Sequence, residues 1–175
     1  MNFFKDEYIV VDLETTGLSP EKGSEIIEIG VTEIKSGEIK LNYSRLIKPK
    51  KIEIPDEITR ITNITTDMVL NEPEIEVVLP KFRNYIGNRT IIAHNAKFDI
   101  KFLNYYLINM SLEPISDYIC TLEMLKLNKL YKGKNKKLAT ACEYYGINNK
   151  SAHRADSDTL ATAELFLKIR EEIRR

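Results

Sequence analysis

Two carboxylate residues, Asp12 and Glu14, stand two positions apart at the end of the apolar run Tyr8-Ile9-Val10-Val11. A short run rich in β-branched residues and closed by Thr-Thr-Gly predicts a buried central strand. Strand side chains alternate between faces, so both carboxylates should lie on one side. Like charges placed together repel and lose hydration, and a bound cation would neutralise both. The pair therefore predicts a metal site; the alternative is an exposed edge strand with a solvated acidic face.

Asp99 is a third candidate carboxylate. Residues 90–94 predict a second short buried strand, and residues 97–110 predict the helix that follows it. With a helical period, Asp99 heads an apolar stripe formed by Phe102, Leu103, Tyr106 and Met110. A carboxylate that points inward needs a partner, which is either a metal ion or the free N–H groups of its own helix.

The last predicted helix runs from residue 155 to about residue 173 and begins with two more acids, Asp156 and Asp158. Helical periodicity aligns each of them with apolar residues, so it does not decide between them. His153 precedes this helix in a predicted loop, and its position alone gives it no special role.

The remaining pattern predicts an α/β protein. Residues 24–33 and 38–47 alternate as two antiparallel strands joined by a turn at 35–37. Residues 48–71 predict loops with short helical turns, and 73–86 predict a helix that either starts near Pro80 or kinks there. Residues 118–122 predict a strand entering a helix, and 137–145 a helix ended by Gly146.

Composition limits the class of protein. The 175 residues fit one domain, 1–175, and 43% apolar with 30% charged residues is typical of soluble globular proteins. We expect a cytoplasmic protein with no membrane partner, because neither an export signal nor a membrane-spanning run is evident. Cys120 and Cys142 are expected to be buried thiols without a disulfide. The 26 basic and 26 acidic residues cancel, which argues against tight binding of long duplex nucleic acid.

One local charge excess remains. Residues 126–137 contain six lysines and no acid, with Tyr131 and Gly133 between them. This composition suits phosphate contact, and it equally suits a solvated flexible loop.

Three segments stand in a fixed order along the chain: Asp-Leu-Glu-Thr-Thr-Gly-Leu at 12–18, His-Asn-Ala-Lys-Phe-Asp at 94–99 and His-Arg-Ala-Asp-Ser-Asp at 153–158. Together they resemble the three motifs of the DEDDh 3′–5′ exonucleases, and the match looks most like the proofreading epsilon subunit of bacterial DNA polymerase III. The resemblance implies a ribonuclease H-like mixed sheet of order 3-2-1-4-5, with strand 2 antiparallel to its neighbours and helices on both faces. It also selects Asp158, five residues after the histidine, over Asp156. The lysine-dense segment departs from the family pattern.

The resemblance implies a metal-dependent 3′–5′ exonuclease that releases nucleoside 5′-monophosphates from single-stranded or frayed DNA in proofreading or repair. Carboxylate oxygens favour hard divalent cations such as Mg²⁺ or Mn²⁺, and four acids can hold two such ions. The expected ligands are Asp12, Glu14, Asp99 and Asp158. His153 is the expected general base. Thr15, Gly17 and Leu18 would line the terminal-nucleotide pocket, with His94 and Asn95 close to the substrate.

The expected partners are single-stranded DNA 3′ ends, with RNA as an alternative, and a DNA polymerase subunit. Two other functions stay open at this point. One is a 3′–5′ exoribonuclease that trims RNA ends, and the other is a catalytically silent nucleic-acid-binding or polymerase-docking module. The intact set of four acids and one histidine argues against the silent module.

Overall fold

The computed structural model describes residues 5–149 and 151–174. The strands are β1 (Glu7–Thr15), β2 (Ile26–Lys35), β3 (Glu38–Leu46), β4 (Thr90–Ala93) and β5 (Tyr118–Cys120). The α-helices are α1 (Asp56–Thr62), α2 (Thr66–Val69), α3 (Ile75–Ile86), α4 (Lys97–Asn109), α5 (Thr121–Leu127), α6 (Leu138–Tyr145) and α7 (Ala155–Arg174), with a 3₁₀ turn at Pro20–Lys22. None of the helices described here combines the length and the apolar character needed to cross a membrane.

The five strands form one mixed sheet in the order β3-β2-β1-β4-β5. β2 runs antiparallel to both β1 and β3, whereas β1, β4 and β5 are parallel to one another. The predicted ribonuclease H-like order and strand directions are confirmed. β1 has a neighbour on each side, so the parallel strands and their connecting helices converge on its carboxyl end.

Helices cover both faces of the sheet, and β1 divides its side chains between them. Ile9, Val11 and Leu13 pack in a core that includes residues of α3 and α4, while Tyr8 and Val10 pack in a second core with α7. Each core also holds one free cysteine, Cys120 in the first and Cys142 in the second, and both are buried. The alternation expected of a central strand is thus realised over the whole apolar part of β1.

The expected strands, helices and turns occur within about two residues of their predicted bounds, but the expectation that a helix starts near Pro80 is wrong. α3 begins at Ile75 and continues through Pro80. A proline in this position removes a single N–H from the helical ladder. The apolar residues of the helix, Ile75, Leu79, Phe82 and Ile86, are all buried in the first core. Burial of this stripe outweighs the loss of one hydrogen bond.

Candidate active site

β1 carries Asp12 and Glu14 to the carboxyl end of the sheet. These residues continue the alternation of Tyr8 and Val10, so they lie on the face covered by α7. Because β1 is paired with β2 on one side and β4 on the other, the alternative of a solvated edge strand is excluded. Both carboxylates are only partly exposed. The strand therefore changes from apolar to acidic at the point where it leaves the core.

The first turn of α7 brings a third acid to the same place. One carboxylate oxygen each from Asp12, Glu14 and Asp158 lies within 4.8 Å of the other two. Asp158 is buried, and two donors fix its carboxylate: Asn149 Nδ2 at 2.6 Å and the backbone N–H of His153 at 2.8 Å. The site thus joins residues that lie 146 positions apart in the chain.

Asp156 lies outside this group. Its Oδ1 accepts a hydrogen bond from the backbone N–H of Ser157 at 2.9 Å. The stripe that continues from Asp158 is fully covered, since Ala161, Leu165 and Ile169 have no exposed surface. The stripe of Asp156 is only partly covered, because Leu160 and Leu167 retain exposure. The face of α7 that packs on the sheet therefore carries Asp158.

Asp99 reaches the site from the opposite direction, in the first turn of α4. It is buried, and its Oδ1 accepts a hydrogen bond from the backbone N–H of Leu13 at 3.2 Å. Asp99 is not one of the three acids whose oxygens converge within 4.8 Å. Its charge nevertheless acts on Asp12, whose pKa it helps to raise. The carboxylate thus lies against the backbone of β1 at Leu13, the residue that separates Asp12 from Glu14 in the strand.

The electrostatics of the site disfavour full ionisation. Burial, followed by the charges of Asp99 and Asp158, raises the pKa of Asp12 well above its usual value. Burial and the charges of neighbouring acids raise the pKa of Glu14 to about 8. Burial also raises the pKa of Asp99 to about 8, against the opposing hydrogen bonds from its own and the Leu13 amide. Without a cation, neutral pH therefore leaves protons on part of this cluster.

This arrangement fits a divalent cation. Carboxylate oxygens are the ligands that hard cations prefer, and three of them already converge. A bound ion would supply positive charge that offsets the burial and the mutual repulsion of these acids. Asp12, Glu14 and Asp158 would hold it, with Asp99 adjacent. The donor set contains no sulfur or imidazole ligand among these residues, which favours hard over soft metals.

A buried ion pair that the sequence did not reveal anchors the start of α7. Glu28 of β2 has no exposed surface and lies opposite Glu14 in the sheet register. It accepts hydrogen bonds from Arg154 Nη2 at 2.8 Å, Arg154 Nε at 3.2 Å, Ser44 Oγ at 2.7 Å and the Ala155 backbone N–H at 3.1 Å. Burial raises the pKa of Glu28, but these hydrogen bonds, led by those from Arg154, bring it below its usual value. A paired Glu28 thus fixes the segment between His153 and Asp158.

Gly30 allows this close approach of α7 to β2. A Cβ atom at Gly30 would lie 2.2 Å from the carbonyl oxygen of Ala155. Any larger residue would push the first turn of the helix, with Asp158, away from the sheet. In the sequence, Glu28 and Gly30 lie two residues apart in β2 and therefore on one face of the strand. Their roles become evident only from the packing of α7 against that face.

The last residue of β1 and the turn after it hold three residues that the family resemblance assigns to the terminal-nucleotide pocket. Thr15 is buried and its hydroxyl donates to the carbonyl of Gly17 at 2.7 Å. A Cβ atom at Gly17 would lie 2.6 Å from Ser24 Oγ, so a larger residue there would displace the Ser24 hydroxyl. Leu18 follows with 83% of its surface exposed. The turn thus presents an uncovered apolar side chain beside the acidic cluster.

His94 and Asn95 form the tight turn between β4 and α4. Asn95 has φ of 65°, and its carbonyl accepts a hydrogen bond from the N–H of Phe98 at 2.9 Å. The ring nitrogens of His94 lie 2.9 Å from Thr121 Oγ1 and 2.9 Å from the carbonyl oxygen of Lys136. Because both ring nitrogens already have protein partners, substrate contact by His94 stays a prediction. The ring instead joins β4 to residues 126–137.

His153 lies in the turn before α7, with its imidazole exposed. Its φ of 66° is a left-handed conformation that non-glycine residues adopt only when their surroundings require it. The requirement here is the bond from its own N–H to Asp158. The side chain is thus held at the rim of the acidic cluster and remains open to solvent.

With the fold and the acidic site established, the family can be assigned. A family model described as Exonuclease (RNase_T) matches residues 9–166, which is most of the chain. The chain belongs to this family of exonucleases. The predicted resemblance to DEDDh exonucleases and to the proofreading epsilon subunit is thereby confirmed.

Individual relatives agree with the family. The chain is 34% identical over 174 residues to DNA polymerase III subunit epsilon of Aquifex aeolicus, with 98% of this chain and 84% of that protein covered. It is 41% identical over 175 residues to the PolC-type DNA polymerase III of Clostridium perfringens, where the match covers 97% of this chain. The chain spans only 12% of that polymerase's length.

Solved structures share the fold. Exonuclease X in complex with 5′ overhanging duplex DNA superposes with a TM-score of 0.74 and 27% identity, covering 94% of this chain and 92% of that chain. The nuclease domain of 3′hExo bound to rAMP superposes with a TM-score of 0.83 at 20% identity, covering 97% and 94%. The second likeness concerns the fold alone. The fold of this chain is thus one that solved exonucleases share.

Proposed function

We propose that this chain is a metal-dependent 3′–5′ exonuclease that hydrolyses terminal phosphodiester bonds and releases nucleoside 5′-monophosphates. The observation that carries the proposal is the convergence of Asp12, Glu14 and Asp158 within 4.8 Å at the carboxyl end of β1. The raised pKa values of Glu14 and Asp99 support the proposal, because these acids need a positive charge nearby if they are to be ionised at neutral pH. Residues 1–175 act in this proposal as a single exonuclease domain.

The proposed cofactor is a pair of divalent cations, Mg²⁺ or Mn²⁺, held by Asp12, Glu14, Asp99 and Asp158. When bound, such ions polarise a phosphodiester and lower the pKa of a water molecule. The chain's own part is to keep the four acids fixed. Asn149 and the His153 amide orient the carboxylate of Asp158, and the Leu13 amide orients that of Asp99.

His153 is the proposed general base. Histidine is the side chain that enzymes most often use to accept a proton, and the exposed ring of His153 is open to a water molecule at the rim of the cluster. Its backbone bond to Asp158 keeps the ring close to the acids. The Arg154–Glu28 pair fixes the next residue, so the turn has little freedom to carry the imidazole away.

The terminal nucleotide is proposed to bind against Thr15, Gly17 and Leu18, with His94 and Asn95 nearby. Leu18 offers an apolar surface on which a base can pack. Its side chain is exposed and does not belong to the hydrophobic core. A site that accepts one terminal nucleotide requires a frayed or single-stranded 3′ end. Mismatched duplex ends should therefore be shortened faster than paired ends.

The substrate and the setting are proposed from the relatives. The similar proteins are named as a subunit of DNA polymerase III, as a PolC-type DNA polymerase III and as an exonuclease in complex with DNA. These names favour DNA as substrate and a DNA polymerase subunit as partner. Replication proofreading or repair is the corresponding role, and the cytoplasm is the expected location.

Digestion of matched oligonucleotides tests this function. DNA and RNA strands of one sequence, labelled at either the 5′ or the 3′ end, would be incubated with Mg²⁺, Mn²⁺ or a chelator. We expect a 3′ label to be released as a mononucleotide at once, and a 5′-labelled strand to shorten in single steps, only with metal. Faster digestion of RNA than of DNA would favour the exoribonuclease alternative, and the absence of digestion with either metal would favour the silent module.

A further inference from the structure

Residues 126–137, here called the lysine segment, form a local charge excess that the proposed catalytic site does not use. The segment has six lysines and no acid in a chain whose net charge is zero. Among residues 5–149 and 151–174, only Lys126 of these six pairs with a carboxylate, that of Glu123 at 2.8 Å. Most of the remaining ammonium groups are exposed and lack a charged partner on the protein surface. Such a concentration of like charge does not stabilise the fold.

The lysine segment has a defined structure. Its centre wraps around Tyr131, whose ring is buried and whose hydroxyl donates to the carbonyl of Asn135 at 2.6 Å. A Cβ atom at Gly133 would lie 2.0 Å from the Tyr131 hydroxyl oxygen, so the backbone closes directly over the ring. The Tyr131 ring also contacts Tyr144 edge-on, with 4.8 Å between ring centres. The lysines therefore project from a scaffold whose shape is fixed before any ligand binds.

Both ends of the segment are tied to the rest of the fold. At one end, Asn128 Nδ2 donates to the Glu172 carboxylate of α7 at 2.6 Å. At the other end, the carbonyl of Lys136 accepts a hydrogen bond from His94 Nε2 at 2.9 Å. A backbone carbonyl can only accept, so Nε2 carries the proton and Nδ1 accepts from the Thr121 hydroxyl. One neutral tautomer of His94 satisfies both partners.

The bond to His94 sets the position of the segment relative to the acidic cluster. His94 directly follows β4, and the chain continues from it into α4, which carries Asp99 in its first turn. The carboxyl-terminal end of the lysine segment thus borders the edge of the sheet where the carboxylates lie. A polyanion whose end reaches the cluster could pass over these lysines.

A cavity beside the segment offers apolar contact as well as charge. It measures about 300 Å³ and is lined by Gly133, Lys134, Thr140, Glu143 and Tyr144. Tyr144 is 43% exposed, so part of its ring is open to a ligand. Positive charge next to an accessible aromatic ring is the combination by which proteins bind single-stranded nucleic acid without sequence preference.

We propose that the lysine segment binds the sugar-phosphate backbone of a single strand several nucleotides upstream of the 3′ end that enters the acidic cluster. The proposal rests on the proposed exonuclease function for its choice of ligand. Lys132, Lys134 and Lys136 contact phosphates, and Tyr144 supports a base. The His94 bond to Lys136 keeps this binding site in a constant position relative to the site of cleavage.

Binding measured as a function of salt tests the proposal without any need for catalysis. A 5′-fluorescent dT20 strand would be titrated with protein in chelator, between 50 and 200 mM salt, with fluorescence anisotropy as the readout. Each phosphate contact on a single strand contributes about 0.7 to the slope of log affinity against log salt, so removal of three lysines should lower the slope by about 2. Between these two salt concentrations, the wild type should then lose about 15–20-fold more affinity than the variant does.

The test variant combines Lys132→Ala, Lys134→Ala and Lys136→Ala. A control with the same change in charge replaces three lysines away from the segment, Lys35, Lys40 and Lys81, by Ala and should keep the wild-type slope. Replacement of the three segment lysines by Arg should restore most of the slope, because the charge returns. Thermal melts of all variants would verify that each protein folds.

Cleavage kinetics then separate this proposal from the catalytic one. We expect wild-type protein with Mn²⁺ to cleave dT20 with a higher kcat/KM than dT3, and the ratio of the two values to fall in the test variant. An unchanged salt slope and an unchanged ratio in the test variant would overturn the proposal while leaving the exonuclease function intact. If wild-type protein binds dT20 with the expected slope but cleaves neither strand, the binding proposal stands and the exonuclease function fails.

Discussion

Replacement of Glu14 by Gln should stabilise the metal-free protein at alkaline pH. The carboxyl of Glu14 has its pKa raised from 4.5 to about 8 by burial and by neighbouring acids. Below pH 4.5 the folded and unfolded chains both hold this proton, so the group costs no stability. As the pH rises toward 8, the unfolded chain releases the proton more readily than the folded chain does, and stability is lost. The glutamine side chain does not titrate, so the variant lacks this loss.

The magnitude follows from the shift. At about 1.4 kcal/mol per pKa unit, a rise from 4.5 to about 8 corresponds to about 5 kcal/mol of destabilisation above pH 8. Glu14 is partly exposed, so water and small movements of the site will reduce this value. We therefore expect Glu14→Gln to gain on the order of 2–4 kcal/mol over the wild type at pH 8.5, and almost nothing near pH 4.5.

Urea denaturation in chelator at several pH values between 4.5 and 8.5 measures this difference. The matched control is Glu171→Gln, which makes the same chemical change at an exposed position of α7. The control should follow the wild type at every pH. Saturating Mn²⁺ should narrow this difference, because the wild type gains RT ln(1 + [L]/Kd), about 2.7 kcal/mol at a hundredfold excess over Kd, and the variant gains less. A Glu14→Gln protein that is less stable than the wild type at pH 8.5 in chelator would refute the account of repelling carboxylates.

Four further predictions test other parts of the site. Asp158→Asn should lower exonuclease activity by more than about 100-fold in a labelled-oligonucleotide assay, whereas Asp156→Asn should have a much smaller effect, and equal losses would contradict the placement of the α7 acid. His153→Ala should lower kcat by roughly 10²–10⁴-fold with KM little changed, and a change in KM alone would assign the residue to binding. Burial lowers the pKa of His94 to about 4, so about 3 kcal/mol of stability should be lost as the pH falls from 6.5 to 4, and denaturation of His94→Asn should lack this component. Arg154→Ala leaves a buried carboxylate without its partner and should lower the free energy of unfolding by about 3 kcal/mol in urea, and a loss below 1 kcal/mol would contradict the role of the pair.

Much of the fold was predictable because its signals are local. The alternation in β1 and the turn at 35–37 lie within single short segments, and each depends on side-chain period or turn chemistry. The prediction that a helix starts near Pro80 was wrong because it also relied on a local signal. The backbone of proline disfavours a helix interior, but burial of the surrounding apolar stripe stabilises the helix there.

The parts of the site that depend on tertiary packing were less accessible. Asp156 and Asp158 could not be distinguished by helical period, because the difference lies in which face of α7 meets the sheet. Glu28 had the appearance of an ordinary polar residue in an alternating strand, and only the packing of α7 on Gly30 brings Arg154 to it. These pairs join distant segments, so no short window of sequence contains both partners.

The most direct test of the central claim compares a linear single strand with a closed circle of the same DNA sequence. With Mn²⁺, the account predicts that a 5′-labelled linear strand shortens one nucleotide at a time from its 3′ end, while the circle, which has no 3′ end, remains intact. Chelator should stop the reaction on the linear strand. Cleavage of the circle at a rate similar to that of the linear strand would contradict an exonuclease site built from the acids of β1, α4 and α7.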